Sequence, residues 1–500
     1  MHLSSLLDMV ESGCAYRALL GAGADQLTGA DLAQLSRAGA TTLGSNGAVV
    51  YVGESHPHLP VALFAAAVAG VPYVPINYRL DDAQLLELIG AQPAALVLTD
   101  EVTAPRLAGL TASGREVRTF DDWLATLPAE YDAPEPRFDD DEVAVVLYTS
   151  GTTSAPKAAL LRHRHLMAYL LGTVEFASAS PDETVLVAVP PYHVAGVANL
   201  LSNLFAGRRL VFLRSFDPQT WLDTVRTEQV TNAMVVPTML ARIVASLDGH
   251  AADTPSLRTL SYGGAKVSAR VLREAMDAFP TTGFVNAYGL TETASTIAVL
   301  GPDDHRAAIS SDDPAIQARL SSAGKVLPSI EVEVRDELDR PLAPGETGML
   351  FLRGEQISGE YATGSLLDDA GWFCTRDHGW VDAEGYLFIE GRADDTIIRG
   401  GENIAPAEIE EVLLAQPAVA EACVVGIPDD EWGQRIEAAV VLRAGSSTSA
   451  DELRDAVRAV LRGSKTPDRI VIRKSLPHTD TGKMLRRVVL QEMLETTPAS

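Results

Sequence analysis

The chain holds only six lysines against 34 arginines, and two of those lysines sit in strings that invite chemistry. Lys157 closes Tyr148-Thr149-Ser150-Gly151-Thr152-Thr153-Ser154-Ala155-Pro156-Lys157, directly after an apolar run. Backbone N–H groups around a glycine, a crowd of hydroxyl donors and one fixed positive charge together suit a polyphosphate. This is not the Walker pattern, because no Gly-Lys-Ser/Thr occurs in the chain. On composition alone an ordinary Ser/Thr-rich turn competes with that reading. Lys483 lies in Thr481-Gly482-Lys483. Alone it would be a solvated tail; delivered to a site, a compact ammonium neutralises charge growing between a carboxylate and a phosphate.

Five further strings lie between these lysines. Pro190-Pro191-Tyr192-His193-Val194-Ala195-Gly196 is aromatic and small by turns, and its His would by itself be structural. Ser261-Tyr262-Gly263-Gly264-Ala265 ends a predicted strand with two glycines, which lets a flat ligand approach the backbone. Asn286-Ala287-Tyr288-Gly289-Leu290-Thr291-Glu292-Thr293 offers an aromatic face, a hydroxyl and a hard carboxylate oxygen within five residues. Gly371-Trp372-Phe373-Cys374-Thr375-Arg376-Asp377 ends on a carboxylate suited to a vicinal diol. Gly391-Arg392-Ala393-Asp394-Asp395 leads into Thr396-Ile397-Ile398-Arg399-Gly400-Gly401-Glu402-Asn403-Ile404.

In this order the strings closely resemble the adenylate-forming superfamily: acyl- and aryl-CoA synthetases, peptide-synthetase adenylation domains and luciferases. The resemblance runs from about Leu32 to Arg487 and is nearest to the AMP-forming acyl-CoA synthetases. It implies an ATP site built from Thr149, Ser150, Gly151, Thr152, Thr153 and Lys157 with Gly263, Gly264, Ala265, Asn286, Ala287 and Gly289. Tyr288 would stack on adenine, Thr291 would contact the α-phosphate and Glu292 would ligate Mg²⁺. Asp377 would hold the ribose, Arg392 the ribose or phosphate, and Asp394 would be a hinge. Tyr192, His193, Val194, Gly196 and Gly264 would border the acyl pocket, and Gly400, Gly401, Glu402 and Asn403 the tunnel for CoA. Lys483, Glu292 and Thr291 would be catalytic. The chain departs from the family pattern at Ser154 and Ala158, where glycine is usual, at Arg376, also usually glycine, and at His378, usually apolar.

Short β-rich runs alternate with helical patterns, which predicts parallel sheets covered by helices, an α/β fold. Strands are expected at Ala48–Val52, Ala94–Leu98, Val143–Tyr148, Thr184–Val189, Arg209–Phe212 and Ala233–Val236, with helices at Asp82–Ile89 and Val267–Phe279. The apolar run Leu59–Ile76 is broken by Pro60, Gly70, Pro72 and Pro75, so it reads as a buried helix, a turn and a strand rather than a membrane span. We expect a large domain over 1–392 with a β-rich, partly antiparallel subdomain over about 320–392. A hinge at 393–395 and a small mobile α+β domain over 396–500 follow.

A net charge of −27 repels phosphate backbones and anionic lipid, so neither nucleic acid nor a membrane is an expected partner. Three scattered cysteines (Cys14, Cys374, Cys423) and an acidic N-terminal segment point to a reducing, cytoplasmic location. The sequence leaves open whether the chain forms a homodimer. His163-Arg164-His165 reads as structural, with no carboxylate partner expected nearby. The expectation is therefore an acid–thiol ligase. With Mg²⁺ and ATP it would convert a bulky or medium-length hydrophobic carboxylic acid to an acyl-adenylate and then an acyl-CoA. A ligase loading a carrier-protein thiol is the enzymatic alternative, and a nucleotide-binding protein that lost its chemistry is the other.

Overall fold

The computed structural model describes the chain except residues 44–46, 93–94, 113–114, 133–134, 136, 150–155, 401, 430–431, 462, 480–481 and 497–500. Among the described residues two large sheets dominate, one of thirteen strands and one of eight. The thirteen-stranded sheet has a parallel centre of Arg209–Phe212, Thr184–Val187, Asn232–Val235, Thr259–Gly263 and Gly283–Leu290. The eight-stranded sheet has one of Glu116–Thr119, Leu96–Thr99, Val49–Val52, Tyr73–Ile76 and Val143–Thr149. Several of these short apolar strands are buried at every residue, as parallel strands covered by helices on both faces must be.

The α/β architecture is therefore the expected one, and the differences have physical causes. The strand expected to run to Val189 ends at Val187, just before Pro190-Pro191, which offer no N–H to continue a ladder. Leu59–Ile76 is a helix, Leu59–Ala69, then the strand Tyr73–Ile76. Residues Leu59 to Ala67 are all buried, which makes this an interior helix wedged into the largest core cluster. The antiparallel strands after residue 320 do not form a separate layer. Gly324–Val326 pairs with Ser295–Leu300 on one side and Tyr386–Arg392 on the other, so these strands extend the thirteen-stranded sheet.

One excursion from that extension matters for the site. Between the strands Gly348–Arg353 and Phe373–Val381 the chain leaves the first sheet, and Tyr361 pairs with Ala159 of the second. Beyond Arg392, Ile397 and Ile404 of the hairpin Ile397–Arg399/Glu402–Ile404 join a compact core with Ile409, Leu413, Ile436 and Leu453. That core lies under a three-stranded sheet of Val419–Asp429, Gly433–Leu442 and Arg469–Arg473. Among the described residues no helix is long and apolar enough to cross a membrane.

Candidate active site

Strand register builds the centre of the site. Phe373–Val381 and Tyr386–Arg392 pair so that Asp377 faces Arg392 across the ladder, with Arg392 Nη1 3.3 Å from Asp377 Oδ1. Tyr288, near the end of the parallel strand Gly283–Leu290, donates its hydroxyl to Asp377 Oδ2 at 2.5 Å. Asp377 is only 3% exposed. Burial pushes its carboxyl pKa up, against the Arg392 guanidinium, the Tyr288 hydrogen bond and the more distant Lys483 ammonium. The Tyr288 phenol is held well above its ordinary value by burial and by the Asp377 charge.

Glu292 follows in the single turn Thr291–Thr293. Gly289 is required there, because a Cβ would stand 1.9 Å from the Ser295 carbonyl oxygen. The chain reverses so tightly that Ala294 and Ser295 take φ of 51° and 116°, strain that a rigid surround must hold. Gln356 supplies part of that surround, donating to the carbonyls of Thr293 and Thr296 at 3.0 and 2.9 Å. Tyr361 donates to Glu292 Oε1 at 2.5 Å and lies 3.4 Å from the Thr149 hydroxyl. Thr149, Glu292 and the Asp377 cluster are thus brought together from both sheets. Lys157 is exposed and pairs directly with Thr149 across the ladder. Ser150, Gly151, Thr152 and Thr153 lie outside the described residues, as do Gly401 and Thr481.

Lys483 comes from the far end of the chain. Its N–H donates to Thr479 Oγ1 at 3.0 Å and its carbonyl accepts the Thr479 N–H at 2.8 Å, closing a tight loop. Gly482, at φ 75°, seats that loop on the large domain: a Cβ there would stand 1.9 Å from Thr238 Oγ1. A second cross-domain contact joins Lys266 to Glu411 at 3.0 Å. The Gly400 turn is held elsewhere. The Gly400 N–H donates to the Trp432 carbonyl at 2.8 Å, and Arg399 pairs with Asp468 at 2.7 Å, both within the small domain. Glu402 and Asn403 form the hairpin's second strand.

Arg376 is engaged away from Asp377. It adopts φ 61° and donates to Asp394 Oδ1 at 2.6 Å, since neighbours on a strand face opposite ways. The next carboxylate along, Asp395, pairs with Arg486 of the small domain at 3.3 Å. Consecutive aspartates are therefore anchored to opposite domains.

The remaining predicted residues are more dispersed. Asn286 donates to the Ser322 carbonyl at 3.1 Å, and Ala287 pairs with Gly263. Gly264 and Ala265 are exposed at the turn beyond. Tyr192 is buried edge-on to Tyr78 and beside His193, whose residue caps the helix Val194–Ala206. Gly196 packs against the Pro190 carbonyl oxygen, which a Cβ there would meet at 2.4 Å, and with Val197 it lines a small apolar pocket. Val197 and Ala198 are core residues. The expectation that His163 lacks a carboxylate neighbour is corrected. The rings of His163 and His2 meet at 3.5 Å between centroids, tilted by 32°, and His2 Nε2 lies 3.8 Å from Glu142. Arg137 already engages that carboxylate, so the charge a cation would bring is in place.

Sequence reasoning missed Tyr361, Gln356 and Thr238, which act across long sequence separations and carry no motif of their own. It also missed a cavity of about 90 Å³ lined by Tyr78, Arg79, Arg214, Thr238 and Arg242.

An Asp–Tyr–Arg cluster, a carboxylate and a threonine hydroxyl gathered around Tyr361, and a C-terminal glycine packed against Thr238 are what the fold brings together. Residues 10–362 match the family described as AMP-binding enzyme, and residues 408–483 match its C-terminal domain. The chain is 35% identical over 446 residues to a feruloyl-CoA synthase from Amycolatopsis, covering 88% of this chain and 87% of the relative. It is 33% identical to the fatty acid–[acyl-carrier-protein] ligase ScoC of Streptomyces coeruleorubidus, with coverage of 88% and 85%. ATP-bound MatB from Rhodopseudomonas palustris superposes with a TM-score of 0.86 at 27% identity, each chain covered to 99%. The apo structure of the same protein superposes less closely, at 0.76 with the same coverage. The chain belongs to the AMP-binding enzyme family. Its activity class is adenylate formation by an AMP-forming acid–thiol ligase.

Proposed function

We propose that this chain uses Mg·ATP to convert a hydrophobic carboxylic acid to its acyl-adenylate and then passes the acyl group to CoA, in two arrangements of its small domain. The observation that supports the first step is the contact of Gly482 with Thr238, which brings this end of the chain to the large domain, with the Lys483 charge acting to lower the Asp377 pKa. The closer superposition on ATP-bound than on apo MatB supports reading this as the adenylating arrangement.

In that step the carboxylate oxygen attacks the α-phosphorus and pyrophosphate leaves. Two anions must meet, so cationic Lys483 and Arg392 lower the barrier most as charge gathers on the α-phosphate. Asp377 accepts the ribose hydroxyls, Tyr288 offers its ring to adenine, and Thr291 donates to the α-phosphate. Glu292, a hard oxygen beside Thr149, is the residue whose chemistry fits Mg²⁺, which when bound screens the phosphate charge. In the second step a thiol attacks the acyl carbon, AMP leaves, and the thiol proton passes to solvent. The Gly400–Asn403 hairpin would reach the site by rotation about Asp394.

CoA is favoured as acceptor by the Gly-Gly-Glu-Asn hairpin and by Arg79, Arg214 and Arg242 around the cavity beside Thr238, a cationic lining suited to the phosphates of CoA. The likeness to ScoC is the observation that favours a carrier-protein thiol instead. A hydrophobic acid is supported by the apolar lining beneath the Pro191–Gly196 turn, where Leu63, Tyr73, Val189, Leu200 and Phe212 meet.

Mass spectrometry after incubation with ATP, Mg²⁺, CoA and pooled fatty, aryl, steroid-like and terpenoid acids tests the whole scheme. We expect acyl-CoA and AMP. Acyl-adenylate without acyl-CoA would transfer the proposal to a carrier thiol, and no AMP from any acid would overturn it.

The anchoring of Asp394 by Arg376 gives a second expectation. An exposed ion pair contributes about 1 kcal/mol at most, so Arg376→Gly, which also relieves the φ 61° strain, should favour the thioester-forming arrangement by up to about fivefold. The ratio of thioester formation from supplied acyl-adenylate to pyrophosphate exchange reads this directly. An unchanged ratio would remove Arg376 from the hinge.

A further inference from the structure

The carboxylate proposed to receive Mg²⁺ is gripped by a segment that no motif marks. Glu292's carbonyl accepts the N–H groups of Ser358 and Gly359, both at 2.9 Å, while its side chain accepts the Tyr361 hydroxyl at 2.5 Å. The segment is itself tied down. Ser358 Oγ donates to the Leu160 carbonyl at 2.5 Å, the Ala362 N–H to the Ala158 carbonyl at 2.9 Å, and Tyr361 is 8% exposed. The same phenol oxygen lies 3.4 Å from Thr149 Oγ1, on the last residue of the strand that leads into the phosphate string. One hydroxyl thus touches two elements, from different sheets, that must agree in position for a metal–polyphosphate to fit between them.

A carboxylate's terminal torsion is soft, and one fixed hydrogen bond on Oε1 sets the plane in which Oε2 is presented. We infer that Tyr361 is a positioning residue that aims the Glu292 carboxylate at the metal of Mg·ATP and couples its placement to Thr149. It touches neither reacting atom and acts through Glu292. This inference rests on the reading of Glu292 as the metal-facing residue.

The test is binding, without turnover. A non-hydrolysable ATP analogue is titrated calorimetrically at a series of Mg²⁺ concentrations with the full chain, Tyr361→Phe, Glu292→Gln and the double variant. Tyr361→Phe keeps the ring and its packing and removes only the hydroxyl. Hydrogen bonds to a charged group contribute about 1.5–3 kcal/mol, so the half-saturating Mg²⁺ concentration should rise roughly tenfold or more. Affinity for AMP without metal should stay at the unsubstituted value, and the double variant should be no worse than Glu292→Gln alone, since both changes remove one coupled unit. If Tyr361→Phe weakens metal-free AMP binding as much as Mg²⁺-dependent binding, its role is structural and the inference falls. If Glu292→Gln shifts the Mg²⁺ dependence and Tyr361→Phe does not, this inference falls alone. If Glu292→Gln leaves the dependence unchanged, the metal reading of Glu292 falls and takes this one with it.

Discussion

Lys483→Ala is expected to reduce acid-dependent pyrophosphate exchange by at least about 10²–10³-fold, the range for removing one preorganised donor from developing charge. Thioester formation from supplied acyl-adenylate should stay near the unsubstituted rate. The asymmetry follows from where the lysine is attached. It belongs to the small domain, and its proposed action beside Asp377 depends on Gly482 lying against Thr238 of the large domain. Gly482→Ala is therefore the companion variant. It leaves the ammonium in the chain but forces a Cβ into Thr238 and strains φ 75°, so the loop must lift. We expect it to lose most adenylation too, with the second half-reaction spared. Equal loss of both half-reactions in Lys483→Ala would end the two-arrangement reading. Full adenylation in Gly482→Ala would show that the Thr238 contact does not control Lys483.

The division between what the residues announce and what they conceal is physical. Periodicity and breakers mark elements whose burial is local. Arg209–Phe212 has the expected bounds, and Leu59–Ile76 divides as its prolines and glycine imply. Motif strings mark places where one short segment carries several donors, as around Tyr288 and Glu292. What stays hidden is pairing at a distance. Nothing in Gly324-Lys325-Val326 shows that three residues splice the antiparallel strands onto the main sheet. Arg376 is visible as a departure from a glycine, but its partner Asp394 is fixed only by strand alternation and a left-handed backbone. A small residue can answer to two constraints: Gly196 lines the apolar pocket and also has no room for a Cβ beside the Pro190 carbonyl.

Asp377→Asn should raise the KM and Kd for ATP by about 30- to 1000-fold, with a smaller effect on kcat. Two ribose hydroxyls would lose a charged acceptor, a change of roughly 2–4 kcal/mol that is felt equally in the ground and transition states. A purely structural role predicts the opposite balance, with stability lost and nucleotide affinity kept, so the thermal midpoint decides between them. Burial raises the Asp377 pKa despite Arg392, the Tyr288 hydroxyl and Lys483. The folded chain then binds that proton more tightly than the unfolded chain does. Stability falls as pH rises through the interval between the unfolded and folded pKa values, and the full penalty is present above the folded value. A neutral amide escapes that penalty while still accepting the Tyr288 hydrogen bond, though it leaves Arg392 without its ion-pair partner. Arg392 is exposed enough to be solvated in its place. Asp377→Asn should therefore melt no lower than the unsubstituted chain at pH 7, and the difference should shrink as pH is lowered through that interval. A variant that melts well below the unsubstituted chain yet binds ATP normally would make Asp377 a structural carboxylate. A variant that keeps its midpoint and loses ATP identifies a side chain kept charged, against its surroundings, for the ligand it holds.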